Sequence, residues 1–287
     1  MNGFVTIQSA LAAGTEGLAR ASDSPKLDAE LLLARTLDVP RSYLIAHPED
    51  RLDPAAIERY SASLGRRAGG VPVAYLTGLR EFWSLELMVT PDTLIPRPET
   101  ELLVERALGN IPRSAALRVL DLGTGSGAIA LAIAVERPLC RIVAVDVSDA
   151  ALRVARQNAR QLDIPNVEFL ESDWTSAVAD RRFDLIVSNP PYVRADDPAL
   201  ATLRHEPGIA LLGGQDGLDC IRRIAGDARA LVAGGGMLLL EHGAGQQAAV
   251  AAILAGHGWR EVDSARDLGG LPRVAWARAP RTAAPGE

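Results

Sequence analysis

Cysteine is scarce in this chain, with two in 287 residues. Cys140 sits in an apolar, strand-like run and Cys220 in a helical one, so neither a disulfide framework nor a zinc knuckle is available. The four histidines show no ligand spacing, and neither a metal nor a redox role is expected. Long apolar runs are also missing: nothing is long enough to cross a bilayer, and the opening "MNGFVTIQSALAAGTEGLAR" lacks the basic and apolar regions of a secretory leader. A soluble, cytoplasmic protein without a membrane partner is expected, and a monomer. Positive charge is in deficit, with 30 Lys+Arg against 36 Asp+Glu and a net charge of -6. Residues 1–80 carry nine of each sign, which makes the first part of the chain a poor phosphate clamp, and no stable nucleic-acid binding is expected.

What is present is a globular chain, 48% hydrophobic and 23% charged, long enough for one large domain or two unequal ones. From Phe4 to about Arg67 apolar residues recur at helical spacing, as Leu27, Leu31, Leu32 and Ala34 do in "LDAELLLARTLDV". Asp53 before Pro54 reads as an N-cap with proline at the first helical position. Residues 1–72 are therefore expected to form a small helical bundle. Over 73–97 the period shortens to that of strands, Phe82, Leu85, Leu87 and Val89 forming a β-hairpin linker that Pro91 and Pro96 break. A helix opens at Pro98. Residues 98–279 then alternate strand and helix, from "RVLDLG" to "GMLLLEHG", which implies an α/β, doubly wound, Rossmann-like parallel sheet. Between the last two strands stands only "GGLP", too short for a crossover, so the last strand is expected to run antiparallel. The tail 280–287, "PRTAAPGE", is expected to be disordered.

Two strand ends carry the chemistry. "LDLGTGSGAIA" puts Gly123, Gly125 and Gly127, with Thr124 and Ser126 between them, at the first strand-to-helix turn, where bare backbone and a helix N-terminus approach a ligand. By itself the pattern fits a tight structural turn, a dinucleotide or S-adenosylmethionine equally. Asp146, at the end of "IVAVD", suits ribose hydroxyls of either cofactor; its bland alternative is a helix cap, for which Ser148 or Asp149 is better placed. Three features favour S-adenosylmethionine: glycines spaced GxGxG, the antiparallel end, and "ESDW", which offers Asp173 to an adenine amino group and Trp174 as a ring to pack on it or into the core. At the second strand end, "FDLIVSNPPYV" stops an apolar run with an amide, two prolines and a tyrosine. Each proline fixes φ and removes a donor, which makes Asn189-Pro190-Pro191-Tyr192 a stiff corner.

Taken together, "LTGLREFWSLELMVTPDTLIPRPETELLVERAL", "VLDLGTGSGAIALAIA", "VDVS", "SNPPYV", "ALLGGQDGLD" and "GGGMLLLEHGAGQ" resemble the protein-glutamine N5-methyltransferases that modify bacterial-type peptide chain release factors. The resemblance runs in order from about Tyr75 to Arg273. It implies an S-adenosylmethionine-dependent methyltransferase fold, with the cofactor held by Gly123, Thr124, Gly125, Ser126, Gly127, Asp146, Trp174 and Asn189. It also implies that Asn189, Pro190, Pro191 and Tyr192 bind the glutamine of a release-factor Gly-Gly-Gln loop, while Arg97, Pro98, Glu99 and Thr100 pack near the cofactor.

The corner suits that chemistry, because an amide nitrogen has its lone pair delocalised and must be oriented to attack a methyl group. The Asn189 side-chain oxygen and the Pro190 carbonyl are two acceptors for the two N–H bonds of an NH2 group, with Tyr192 stacked on the acceptor plane. Catalysis by Asn189, Pro190 and Tyr192 is then positioning and electrostatics, without a general base.

Asn-Pro-Pro-Tyr also occurs in a sister enzyme of a large-subunit ribosomal protein and in enzymes that methylate nucleic-acid amino groups. The string "LIPRPETE" resembles the release-factor branch, and no basic recognition surface is visible. A non-catalytic cofactor-binding scaffold predicts a damaged corner, and a nicotinamide dehydrogenase a GxGxxG spacing. Glu241 and His242 are expected at a solvated strand end. The chain's own Gly213-Gly214-Gln215 is expected to set a turn before a helix.

Overall fold

The computed structural model describes residues 5–281, in two compact units that meet at Leu79 and Arg80. The tail expected to be disordered lies outside the described residues from position 282 on.

The first unit is helical: α1 (Ile7–Leu18), α2 (Pro25–Leu37), α3 (Arg41–Ala46), α4 (Pro54–Ala68) and α5 (Val73–Thr77). Local chemistry sets the starts. Thr6 and Ser9 exchange hydrogen bonds in a capping box, and Asp53 accepts from the Ala56 amide at 2.7 Å while Pro54 takes the first helical position. The apolar faces meet around Ile7, Leu32, Leu33, Leu44 and Tyr60. Gly14 is required there, because a Cβ would fall 2.2 Å from the Tyr60 hydroxyl. Residues 73–77, expected in the hairpin linker, form α5 instead: Pro72 starts the turn and Gly78, at φ +76, ends it.

The second unit opens with a hairpin, β1 (Leu79–Phe82) and β2 (Leu85–Met88), whose turn residues Trp83 and Ser84 both take positive φ. A 3-10 turn at Pro98–Thr100 leads into α6 (Glu101–Gly109). The alternating region follows as β3 (Arg118–Leu122), α7 (Ala128–Glu136), β4 (Arg141–Asp146), α8 (Asp149–Gln161), β5 (Val167–Glu171), β6 (Phe183–Ser188), α9 (Asp219–Leu231), β7 (Val232–Glu241), α10 (Gln247–Gly256), β8 (Arg260–Arg266) and β9 (Pro272–Arg278).

Its sheet has seven strands in the order β5-β4-β3-β6-β7-β9-β8, parallel except for β9, which runs antiparallel to both β7 and β8. The inner strands are apolar on both faces, as helices on the two sides require: Leu120 and Ile186 belong to one core, Val119 and Val187 to the other. Strand order reverses at β3 and β6, successive strands being added outward on either side of this pair, the place where open α/β sheets bind ligands. Leu122 and Ser188 are register partners there, so the segments that follow, Gly123 onward and Asn189 onward, leave the sheet side by side.

Candidate active site

The segment after β3 is shaped by missing side chains. Gly123, Gly125 and Gly127 have φ of +74, +56 and +86, a region that costs an L-residue about 1–2 kcal/mol. Gly127 also lacks room, since a Cβ would sit 3.1 Å from the Leu131 side chain. Behind the loop, Asp121 is fully buried; its Oδ2 accepts from the Thr124 hydroxyl at 2.7 Å and its Oδ1 has no partner among the described residues. Burial pushes its carboxyl up to about 7 despite that hydroxyl, and the charge of Asp146 adds to the rise. Asp146 accepts from the Gly125 amide at 2.8 Å and the Ser148 amide at 2.9 Å, while Ser148 caps α8. Each carboxylate oxygen keeps a lone pair for a ligand hydroxyl. Asn158, fully buried on α8, donates to the Ser126 and Met88 carbonyls and accepts from the Met88 amide, which ties the glycine loop to the hairpin.

The corner after β6 is held by side chains. Asn189 Nδ2 donates to Thr100 Oγ1 at 3.1 Å, and among the described residues no protein group engages its Oδ1 or the Pro190 carbonyl. The Tyr192 hydroxyl donates to Glu241 Oε1 at 3.1 Å, and Gln246 Nε2 donates to the Tyr192 carbonyl at 3.1 Å. Gly213 is required behind the prolines, because a Cβ would lie 2.7 Å from both the Pro191 and Gly217 carbonyl oxygens. Gly214, at φ +90, continues that turn and Gln215 points to solvent, so this Gly-Gly-Gln buttresses the corner.

Glu241 and His242 are not solvated. They are 1% and 0% exposed, each with a buried side-chain atom that has no partner among the described residues. Burial pushes the Glu241 carboxyl up to about 7 and holds the His242 imidazole below its ordinary value. The solvated strand end expected here is covered instead, and Tyr192 of the segment after β6 reaches Glu241 with its hydroxyl.

Between the two segments lies a cavity of about 290 Å³. Of the residues singled out in the sequence, Gly123, Gly125, Asp146, Asp173, Trp174, Asn189 and Pro191 line it. Thr124 and Ser126 are buried beneath the loop, and Gly127, Pro190 and Tyr192 do not line the cavity. Trp174 holds φ +53, unusual for a bulky residue, with its turn fixed by Ser172, whose hydroxyl donates to the Trp174 carbonyl at 2.8 Å. Asp173 Oδ2 also accepts from Arg223 at 2.7 Å.

Sequence reading missed Asp92, Thr93 and Leu94 on one side and Pro207, Ile209 and Ala210 on another. A trace of the second group was visible, since "PGIALLGG" is an apolar run set among turn residues, and Ile209 stays 65% exposed. Both segments are clamped by Glu206, which pairs with Arg97 and accepts from the Ile95 amide at 3.1 Å.

Comparison with known proteins gives the family. Residues 98–205 match the methyltransferase small domain and residues 9–78 the PrmC N-terminal domain. The release factor glutamine methyltransferase of Coxiella burnetii is 48% identical over 92% of this chain and 95% of its own length. That of Burkholderia pseudomallei is 52% identical over the same shares, 92% and 95%. A methyltransferase from Pyrococcus furiosus, 17% identical, covers 68% of this chain and 89% of its own with a TM-score of 0.53, a likeness of fold alone. With such identity sustained along both units, the chain belongs to the release factor glutamine methyltransferase family.

Proposed function

We propose that the protein transfers a methyl group from S-adenosylmethionine to the side-chain amide nitrogen of the glutamine in the Gly-Gly-Gln motif of peptide chain release factors, in the cytoplasm where those factors work. The observation that carries this is the pair of free acceptors, Asn189 Oδ1 and the Pro190 carbonyl, fixed on a proline corner beside a cavity flanked by a glycine loop.

The lining suits the cofactor. Trp174, Ile209 and Ala210 offer apolar contact for a flat heterocycle, Asp146 offers acceptor lone pairs for a ribose diol, and Asp92, Asp146 and Asp173 supply negative charge for a cationic ligand. Gly123 and Gly125 keep the loop bare where that ligand lies. Bound there, S-adenosylmethionine supplies an electrophilic methyl group on a positively charged sulfur.

The chain's own residues orient the acceptor. A primary amide presents two N–H donors, and two fixed acceptors on one rigid corner hold both of them and so fix the nitrogen's plane. The Tyr192 ring, tethered by its hydroxyl to Glu241, cannot swing away. Neither Asn189 nor Pro190 takes a proton, so their contribution is placement and polarity in a site that is already assembled. Residues 98–279 perform the transfer, 73–97 link, and the helical residues 1–72 dock the protein substrate.

Transfer of labelled methyl from S-adenosylmethionine to a purified release factor tests the reading, run beside the same factor with its Gly-Gly-Gln glutamine changed to alanine and beside nucleic acid. Label on the intact factor only, abolished by Asn189→Ala in the enzyme, is the expected outcome. Label on nucleic acid, or equal label on the altered factor, overturns it.

A further inference from the structure

The proline corner leaves the sheet after β6 and has to be held at both ends to keep an acceptor amide in one orientation. Its entry is fixed by the pairing of Ser188 in the sheet and by Asn189 Nδ2 on Thr100. Its exit is Tyr192. The two prolines between have φ fixed and make the stretch stiff, so the setting of the Tyr192 peptide is felt along the whole corner.

That peptide is met by Gln246, at the start of α10. Both N–H bonds and the oxygen of the Gln246 amide are engaged. Its Oε1 accepts from the Gly243 amide at 2.8 Å, and its Nε2 donates to the Tyr192 carbonyl at 3.1 Å and to the Gly217 carbonyl at 3.2 Å. A backbone N–H only donates and a backbone carbonyl only accepts, so these three groups admit one orientation of the side-chain amide. The slot around it depends on missing side chains. A Cβ at Gly217, which has φ +76, would lie 2.4 Å from the Tyr192 carbonyl oxygen and 2.7 Å from Gln246 Nε2, and one at Gly243 would lie 3.0 Å from Gln246 Oε1. Three loops thus meet on one side chain: the corner after β6, the turn before α9 and the loop after β7.

We infer that Gln246 is a positioning residue for methyl transfer: its NH2 group holds the Tyr192 carbonyl against the Gly217 turn and so sets how Asn189 Oδ1 and the Pro190 carbonyl face the acceptor amide. This rests on the proposal that those two groups receive the acceptor's N–H bonds. Glu241 holds the hydroxyl end of Tyr192 and Gln246 its backbone end, so without Gln246 the residue pivots on its hydroxyl. Gln246 does not line the cavity, and its loss is felt through the corner.

Two variants keep the length of the side chain and differ in what they offer. Gln246→Met removes the donors, and Gln246→Glu turns an acceptor toward two carbonyl oxygens. Each is expected to lower kcat about 10- to 30-fold, the scale of buried carbonyls left without a donor, with Gln246→Glu the slower. KM for the release factor and S-adenosylmethionine affinity by calorimetry stay within about threefold of wild type. Ala249→Glu, exposed in the first turn of α10, adds the same charge nearby and keeps the wild-type rate. A merely structural role at the start of α10 predicts a lower melting temperature with kcat of the folded enzyme unchanged. That result, or a loss confined to KM, overturns the inference.

Side-chain amide NMR reads the hydrogen bonds without any substrate. The Gln246 NH2 protons, assigned by their loss in Gln246→Met, exchange slowly with solvent in wild type; fast exchange of both overturns the inference. Failure of wild type to label the release factor instead overturns the proposed function, with the NMR result still standing on its own.

Discussion

Two strand ends face one cavity and are built in opposite ways. The loop after β3 works by absence, with three glycines in left-handed backbone and one open position, Gly125, where a Cβ would meet nothing within 4 Å. The corner after β6 works by presence: two prolines stiffen it, and Asn189 and Tyr192 are each tied by a side-chain hydrogen bond. Behind each end sits a buried carboxylate with one unpartnered oxygen and one side-chain hydroxyl on the other, Asp121 with Thr124 and Glu241 with Tyr192. The parallel stops at chain distance. Asp121 and Thr124 are three residues apart, whereas Asn189 is 89 residues from Thr100 and Tyr192 is 49 from Glu241. The loop after β3 is thus fixed within one turn of chain, while the corner after β6 draws on three separate segments.

The contrast predicts that damage to the two ends separates binding from transfer. Asn189→Ala should cost about 10³-fold in kcat, the scale of losing one preorganised hydrogen-bond partner in the reacting geometry, with cofactor affinity weakened about tenfold at most. Gly125→Val should do the reverse. Its side chain fills the cavity from a position with open space, so cofactor affinity falls about 100-fold in calorimetry while the fold, followed by circular dichroism, loses only the cost of a left-handed β-branched residue, about 1–2 kcal/mol. A matching loss of affinity in Asn189→Ala would show that the corner is part of the cofactor seat and break the contrast.

That difference in construction also explains what the sequence disclosed. Glycines at 123, 125 and 127, and a carboxylate ending the next strand, are local patterns with a local physical meaning, and so are the prolines at 190 and 191. The alternation of periods from Arg118 onward likewise spelled out the sheet, and "GGLP" its antiparallel end. What stayed hidden was everything that depends on covering. Glu241 ends a strand whose last residues, "LLLEHG", look open to water, and only the three-dimensional path of the segment after β6 buries them. Thr100 looked like part of a helix start, which it is, and nothing in its neighbours shows that its hydroxyl meets Asn189. The short helix at Val73–Thr77 was missed for a simpler reason, since five residues are too few for a helical period to show against a strand-like one.

A smaller effect sharpens the contrast from behind the corner. Gly213→Ala places a methyl group 2.7 Å from two backbone carbonyl oxygens, of Pro191 and Gly217, neither of which is the loose end of a side chain. Backbone has to move, and the piece that moves is the proline corner. A loss of about tenfold in kcat with cofactor affinity unchanged within about threefold is expected, since a shift of a few tenths of an ångström misplaces the acceptor amide without touching the glycine loop. Wild-type rates in this variant would mean that the corner tolerates displacement and that its stiffness is incidental.

The smallest effect is on stability and treats the two buried carboxylates alike. Burial lifts both Asp121 and Glu241 to about 7, above their ordinary values of 3.8 and 4.5. Between those limits the folded protein binds more protons than the unfolded chain, so unfolding becomes easier as pH rises: the stability is present in full below about pH 4 and lost as pH climbs through 7. Carboxyls held low by arginine or by backbone amides, such as Glu168 and Asp267, act in the opposite sense but below this window. His242, held low by burial, opposes the carboxylates only below its unfolded value of about 6.5. The cofactor-free protein should therefore melt about 5 °C or more lower at pH 8.5 than at pH 6.5, and Asp121→Asn and Glu241→Gln should each flatten part of that slope. Equal flattening by the two variants would mean that both ends bear the same cost for their buried carboxylate. A slope removed by Asp121→Asn alone would mean that Glu241 takes up no proton on folding into the corner, and that its ionised state is secured there by the Tyr192 hydroxyl.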